Sequence, residues 1–106
     1  MPRVKFQTLT EQMFYILLCL QYECCGVDVM ERVASMTDHR VSIGPGTLYA
    51  LLDSFLAEGF IQETRVEGRK RSYLITLKGK RKLEDEFLRI RRQADDYLKY
   101  GKEALA

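Results

Sequence analysis

Cysteine and histidine are scarce in this chain, and their spacing suits neither disulfide nor metal chemistry. The cysteines are Cys19, Cys24 and Cys25, an odd number, two of them adjacent, with no C-x-x-C spacing. That is neither a disulfide framework nor a zinc constellation. The single histidine, His39, lies beside Arg40 in a polar stretch and is too little for a typical zinc site. No metal and no cofactor are therefore expected. Tryptophan is absent, as are the G-x-S-x-G nucleophile elbow and the phosphate-binding P-loop. No catalytic set is legible, so an enzyme is not expected. Long apolar runs are missing too. The longest, Met13 to Leu20, falls well short of the roughly 20 residues that span a bilayer. The basic start, Met1-Pro2-Arg3-Val4-Lys5, has no small-residue cleavage site after the apolar run, which speaks against a signal peptide. The expected location is the cytoplasm. No repeat, low-complexity tract or linker interrupts the chain, and one domain over residues 1–106 is expected.

What is present is ordinary in bulk and uneven in distribution. Hydrophobic residues make up 46% and charged residues 30%, with a net charge of +2. Between Arg65 and Arg92, however, eleven Lys/Arg stand against four Asp/Glu, which leaves the remainder at −5. Such a chain has a sided electrostatic field.

The local signals spell a sequence of elements. Thr8-Leu9-Thr10-Glu11 has the form of a capping box, and a helix is expected from about Leu9 to Tyr22. Its apolar residues cover most of the circumference, so it needs cover on several sides, more than a short chain supplies. A partner subunit is expected on one face. Glu23 to Gly26 breaks the helix, and a second runs from about Val27 to Thr37. Asp38 to Ile43 reads as a turn. Gly44-Pro45-Gly46 opens a third helix, with Gly44 as cap and Pro45 at the first helical position. Leu48, Leu51, Leu52, Phe55 and Leu56 form one core-facing stripe, and Gly59 ends it. Two strand-like runs follow, Phe60 to Val66 and Arg71 to Leu77, around a turn at Glu67-Gly68-Arg69-Lys70. Thr76 caps a last helix, about Lys78 to Tyr100, on which Leu83, Phe87, Ile90, Ala94 and Tyr97 form an a/d seam. Such a seam asks for a partner helix. Arg89, Arg91 and Arg92 flank it.

Three helices, a basic hairpin and a long helix describe a mainly α fold, a winged helix-turn-helix over about residues 9–77 with a C-terminal dimerisation helix over about 78–100. The segments Gly46-Thr47-Leu48-Tyr49, Leu51-Leu52, Glu58-Gly59-Phe60-Ile61, Arg69-Lys70-Arg71-Ser72-Tyr73 and Thr76-Leu77-Lys78-Gly79 resemble the PadR family of bacterial transcriptional regulators, over roughly Leu9 to Tyr97. The single final helix resembles the family's short-tailed branch. The resemblance implies a homodimer built with that helix, and usually a repressor. Some relatives bind planar aromatic drugs between subunits using tryptophan, which this chain lacks. Phe6, Phe14, Tyr15 and Tyr97 are candidates for a smaller pocket, with core packing the better reading, and the effector stays unassigned.

The expected partner is double-stranded DNA. Three cations on the protruding wing, Arg69, Lys70 and Arg71, can follow a groove edge and displace counterions. Small residues on the outward face of the third helix allow close approach to DNA. The stretch Gly44 to Thr47, Gly46 included, can offer backbone N–H groups to a phosphate, and Thr47 and Tyr49 are candidates for direct contact, with a flanking core residue the alternative reading of Tyr49. Lys78, Lys80, Arg81 and Lys82 read first as a solvated face balanced by Glu84, Asp85 and Glu86; because cations there oppose the dipole of the last helix, the DNA backbone is the alternative reading. Asp53 departs from the family, which often carries basic residues at this point; it would be repelled by phosphate, and could instead accept from a cytosine amino group or face a lysine. The competing reading is a winged-helix protein–protein interaction module without DNA binding, favoured by Asp53 and the small net charge. The cysteines read as packing rather than as a redox switch, since acidic Glu23 disfavours a thiolate.

Overall fold

The computed structural model describes residues 8–101. Phe6 and the basic stretch Met1 to Lys5 lie outside the described residues. The element order is α1 (Glu11–Cys19), β1 (Cys24–Cys25), α2 (Gly26–Met36), α3 (Pro45–Glu58), β2 (Ile61–Glu67), β3 (Lys70–Ile75) and α4 (Leu77–Tyr100). The fold is mainly helical with a small antiparallel sheet, the winged-helix arrangement. No described helix is long and apolar enough to cross a membrane.

The first helix starts later than the sequence suggested. Thr10, not Thr8, is the cap: its hydroxyl accepts from the Met13 N–H at 3.2 Å. The Met13 sulfur accepts the Thr10 N–H at 3.5 Å, the place a Glu or Gln takes in the usual capping box. Leu9 is buried, and its N–H goes to Glu86 on α4 at 2.8 Å, so the chain is still extended there. Glu11 pairs with Arg40 rather than reaching back. The helix also ends earlier, at Cys19, because the Leu20 carbonyl accepts the Ile75 N–H at 2.7 Å and hands the chain to the sheet.

That sheet has a third strand which the sequence reading placed in a helix break. Its order is β1-β3-β2, with Cys24 opposite Tyr73 and Cys25 opposite Ser72. β2 and β3 pair from Ile61–Ile75 to Glu67–Lys70, with an irregularity between Glu63 and Arg65. The loop is Gly68-Arg69, with Gly68 at φ +63°, a two-residue Gly-X connection whose first position suits glycine. Leu77 is not part of the strand; it opens α4 and is 64% exposed.

α3 follows its local signals closely. Gly44 caps it, Pro45 is its first residue, and Gly59 closes it at φ +78°. Leu48, Leu52 and Phe55 are fully buried, while Leu51 and Leu56 pack at the core's margin. The core joins these to Ile16, Leu17 and Leu20 of the first helical segment, Val29 and Val33 of α2, Tyr73 and Ile75 of β3, and Leu83 of α4. Four apolar α1 side chains, Met13, Phe14, Tyr15 and Leu18, are only partly covered by the chain itself.

α4 is capped by Thr76, whose hydroxyl accepts from the Gly79 N–H at 3.1 Å and donates to the Gly59 carbonyl at 2.6 Å. Gly79 is where the helix meets the wing: a Cβ there would lie 2.1 Å from the Phe60 carbonyl oxygen. Beyond Glu86 the helix leaves the body, and residues 90–100 are exposed on every side.

Candidate nucleic-acid interface

The turn between α2 and α3 sets the height of α3, and it is held from several directions. Thr37 Oγ1 donates to the Val33 carbonyl at 2.7 Å and accepts the Val41 N–H at 3.1 Å. This turn takes Asp38 and His39 through φ of +57° and +63°, a left-handed region that Asp and His enter more readily than most residues. Three contacts then bolt the turn to α1. Arg40 reaches Glu11 and the Tyr15 hydroxyl, the latter at 3.1 Å, and Gln12 Nε2 donates to the Ser42 carbonyl at 3.1 Å. Lone His39 therefore serves the turn.

The N-terminus of α3 is bare. Gly44 provides no side-chain cap, and Gly46 and Thr47 are exposed with open space around Gly46. Free N–H groups at such an end favour an anion. Tyr49 is 42% exposed and lies across the start of α2, so close that a Cβ on Gly26 would meet its hydroxyl at 2.8 Å. Tyr49 is thus both a packing residue against α2 and part of the exposed face.

The wing adjoins that face. Arg69 lies in the loop and Lys70 and Arg71 open β3, all exposed. Tyr49 and Asp53 of α3 share with Arg69, Arg71 and Tyr73 a notch of about 290 Å³. Within it Arg71 is held by Glu63 at 3.0 Å. Tyr73 is buried, and burial pushes its hydroxyl pKa up, helped by the charge of Glu63 and opposed by Arg71. The structure thus brings Tyr49 together with Arg69 and Arg71, and adds Asp53 and Tyr73, which sequence reasoning did not assign to the wing. Nothing local signals this, because the notch joins segments about twenty residues apart.

Lys78 turns out to serve the fold. Its Nζ donates to the Glu58 carbonyl at 2.7 Å and lies 5.6 Å from the Phe60 ring centroid. A cation is favourable at the C-terminal end of α3, which explains its place at the start of α4. Lys80 and Arg81 remain exposed.

On α4 the seam divides. Leu83 is buried in the chain's own core, whereas Phe87, Ile90 and Tyr97 are 46%, 42% and 62% exposed, and Ala94 is exposed as well. Glu86, next to this seam, is 2% exposed. Besides the Leu9 N–H it accepts from Arg89, at 3.0 and 3.3 Å. Burial alone would raise its pKa, but the bonds from Arg89 and Leu9 outweigh it and hold the carboxyl below its usual range. Arg89 is committed to Glu86 and to Gln93 rather than flanking the seam freely. Between α1 and α4 lies a hollow of about 360 Å³, lined by Leu9, Phe14, Tyr15, Phe87, Arg89 and Ile90 among others. Phe14 and Tyr15 line it and also pack against the core; Tyr97 does not line it, and Phe6 is outside the described residues.

The cysteines are buried. Burial, with Cys24 adding to it, raises the Cys19 pKa to about 11, and burial also raises that of Cys24. A thiolate is the reactive form, so these groups are poorly poised for exchange at neutral pH.

Known structures share this arrangement. A transcriptional regulator from Clostridium thermocellum superposes with a TM-score of 0.72 at 18% identity, over 85% of this chain and 91% of that one. A PadR family transcriptional regulator from Eggerthella lenta DSM 2243 gives 0.65 at 22%, over 78% and 70%. The PcaV transcriptional regulator from Streptomyces coelicolor, seen with its natural ligand, gives 0.70 at 19%, over 93% and 70%. At these identities the likeness is one of fold. No curated protein sequence matches the chain. The profile of the family described as "Transcriptional regulator PadR-like family" matches residues 16–85, from the first helix into the last, so the chain belongs to the PadR-like family of transcriptional regulators.

Proposed function

We propose that the chain acts as a homodimeric, sequence-specific binder of double-stranded DNA in the cytoplasm and represses transcription by occupying its site. One observation carries the DNA reading: Tyr49 and Asp53 on the exposed face of α3 share a notch with Arg69 and Arg71 of the cationic wing, so α3 and the wing can engage one duplex. Gly46, Thr47 and Tyr49 approach the groove and its phosphates, while Arg69, Lys70 and Arg71 supply counterion displacement. Phe87, Ile90, Ala94 and Tyr97 form the dimer seam beyond Leu83, joined by the half-covered side chains of α1. Two copies then present two α3 helices to half-sites about one duplex turn apart. An effector, where one acts, has a seat in the hollow between α1 and α4.

The test is anisotropy binding to a fragment of the chain's own upstream region against a scrambled duplex, over about 50 to 200 mM salt. Three wing cations per protomer in a dimer make about six phosphate contacts, and affinity should fall on the order of 10³ over that range. Replacing Arg69, Lys70 and Arg71 by Ala should weaken binding to all sequences and flatten the salt slope. An unchanged slope would remove the wing from the interface. No binding at low salt would favour the protein-interaction module, the reading to which Asp53 and the small net charge lend support.

A further inference from the structure

We infer that Asp53 is a specificity-determining residue of this interface, its carboxylate accepting from the exocyclic amino group of a cytosine in the major groove. The inference rests on the DNA-binding reading above. Asp53 is exposed on α3, one turn beyond Tyr49, at the edge of the notch shared with the wing. Among the described residues it has neither an ion-pair partner nor a hydrogen bond: the ion pairs are Arg40–Glu11, Arg71–Glu63 and Arg89–Glu86. No lysine lines the notch, and neither of the arginines that do, Arg69 and Arg71, forms an ion pair with this carboxylate among the described residues.

The charges in the notch argue against a phosphate as its partner. Arg69, Arg71 and Asp53 line the notch together, and Arg71 is paired with Glu63. The balance is neutral, and an unpaired carboxylate repels a phosphodiester. A base edge fits better. An ionised carboxylate only accepts hydrogen bonds, and the donors in the major groove are the amino groups of cytosine and adenine. Adenine presents its amino group beside the N7 acceptor, a pair that an amide satisfies and a carboxylate does not. Cytosine is therefore the base that Asp53 suits.

The test is selection from a library of randomised duplexes by the full chain, comparing the wild type with Asp53→Asn and Asp53→Ala. Among the described residues Asp53 makes no hydrogen bond or ion pair that either variant would lose. The wild type should enrich a C·G pair at one position of each half-site. Asp53→Asn should move that position toward A·T, because the amide can both accept and donate. Asp53→Ala should flatten it, with a loss of about tenfold in discrimination, while other positions keep their preference. Both variants should bind scrambled DNA more tightly than the wild type, since a repulsive charge is gone. Identical base preferences for all three proteins would overturn the assignment of Asp53 and leave the DNA reading standing. A wild type that enriches no sequence would overturn the DNA reading and the inference together.

Discussion

Glu86 ties α4 to the chain ahead of the first helix, and its removal has a calculable cost. It is 2% exposed, accepts the buried Leu9 N–H at 2.8 Å, and pairs with Arg89 at 3.0 Å. Hydrogen bonds to a charged group contribute about 1.5–3 kcal/mol, and a buried donor left without a partner costs about 1–3 kcal/mol. The two overlap, so Glu86→Ala should destabilise the protein by about 3 kcal/mol, a large part of a total of about 5–15 kcal/mol. For a domain of this size the melting midpoint should drop on the order of 10 °C. Glu86→Gln keeps an acceptor for Leu9 and loses only the charge, and should cost about 1–2 kcal/mol. The pH dependence follows from the direction of the shift. A carboxyl held below its ordinary value of 4.5 contributes stability that is present above that value and is lost as pH falls through the lower folded one. Glu86→Gln should lack this part of the acid transition. Calorimetric melting at fixed protomer concentration, between neutral pH and about pH 3, reads both effects. A Glu86→Ala variant melting within about 2 °C of the wild type would refute the reasoning.

The remaining predictions concern packing and assembly. In an exposed helix Gly→Ala stabilises by up to about 1 kcal/mol, but at Gly79 the added Cβ would sit 2.1 Å from the Phe60 carbonyl oxygen and 2.7 Å from Ile75 Cγ1. Gly79→Ala should therefore destabilise by about 2–3 kcal/mol in urea unfolding; a stabilised variant would contradict the close approach of α4 to the wing. On the proposed α4 seam, Phe87→Asp should shift the protein from dimer to monomer in sedimentation velocity, since Phe87 is half-exposed and its loss takes little from the core. A dimer that survived the change would exclude the α4 seam as the interface.

The elements that the sequence determined by itself are those whose signals are local. Gly44-Pro45 and Gly59 bound α3 because a cap, a fixed φ and a left-handed closing residue act within one turn of where they stand. Thr76 starts α4 and Gly68 turns the wing for the same reason, and the cationic tip could be read directly from Arg69, Lys70 and Arg71. The family resemblance rests on these same segments.

Tertiary structure decided what depends on partners far along the chain. Cys24-Cys25 has no period to read, being two residues long, and becomes a strand only because Tyr73 and Ser72 lie opposite. Thr10 displaces Thr8 as the cap because Leu9 gives its N–H to Glu86, 77 positions away. The heptad spacing is the same at Leu83 and Phe87, yet the core claims the first and leaves the second exposed. Asp53 could be noticed in the sequence as an acid among small residues, but its place beside the wing exists only once the hairpin folds beside α3. Local backbone preferences are written in neighbouring residues; burial and the pairing of charges are set by whatever the folded chain brings alongside.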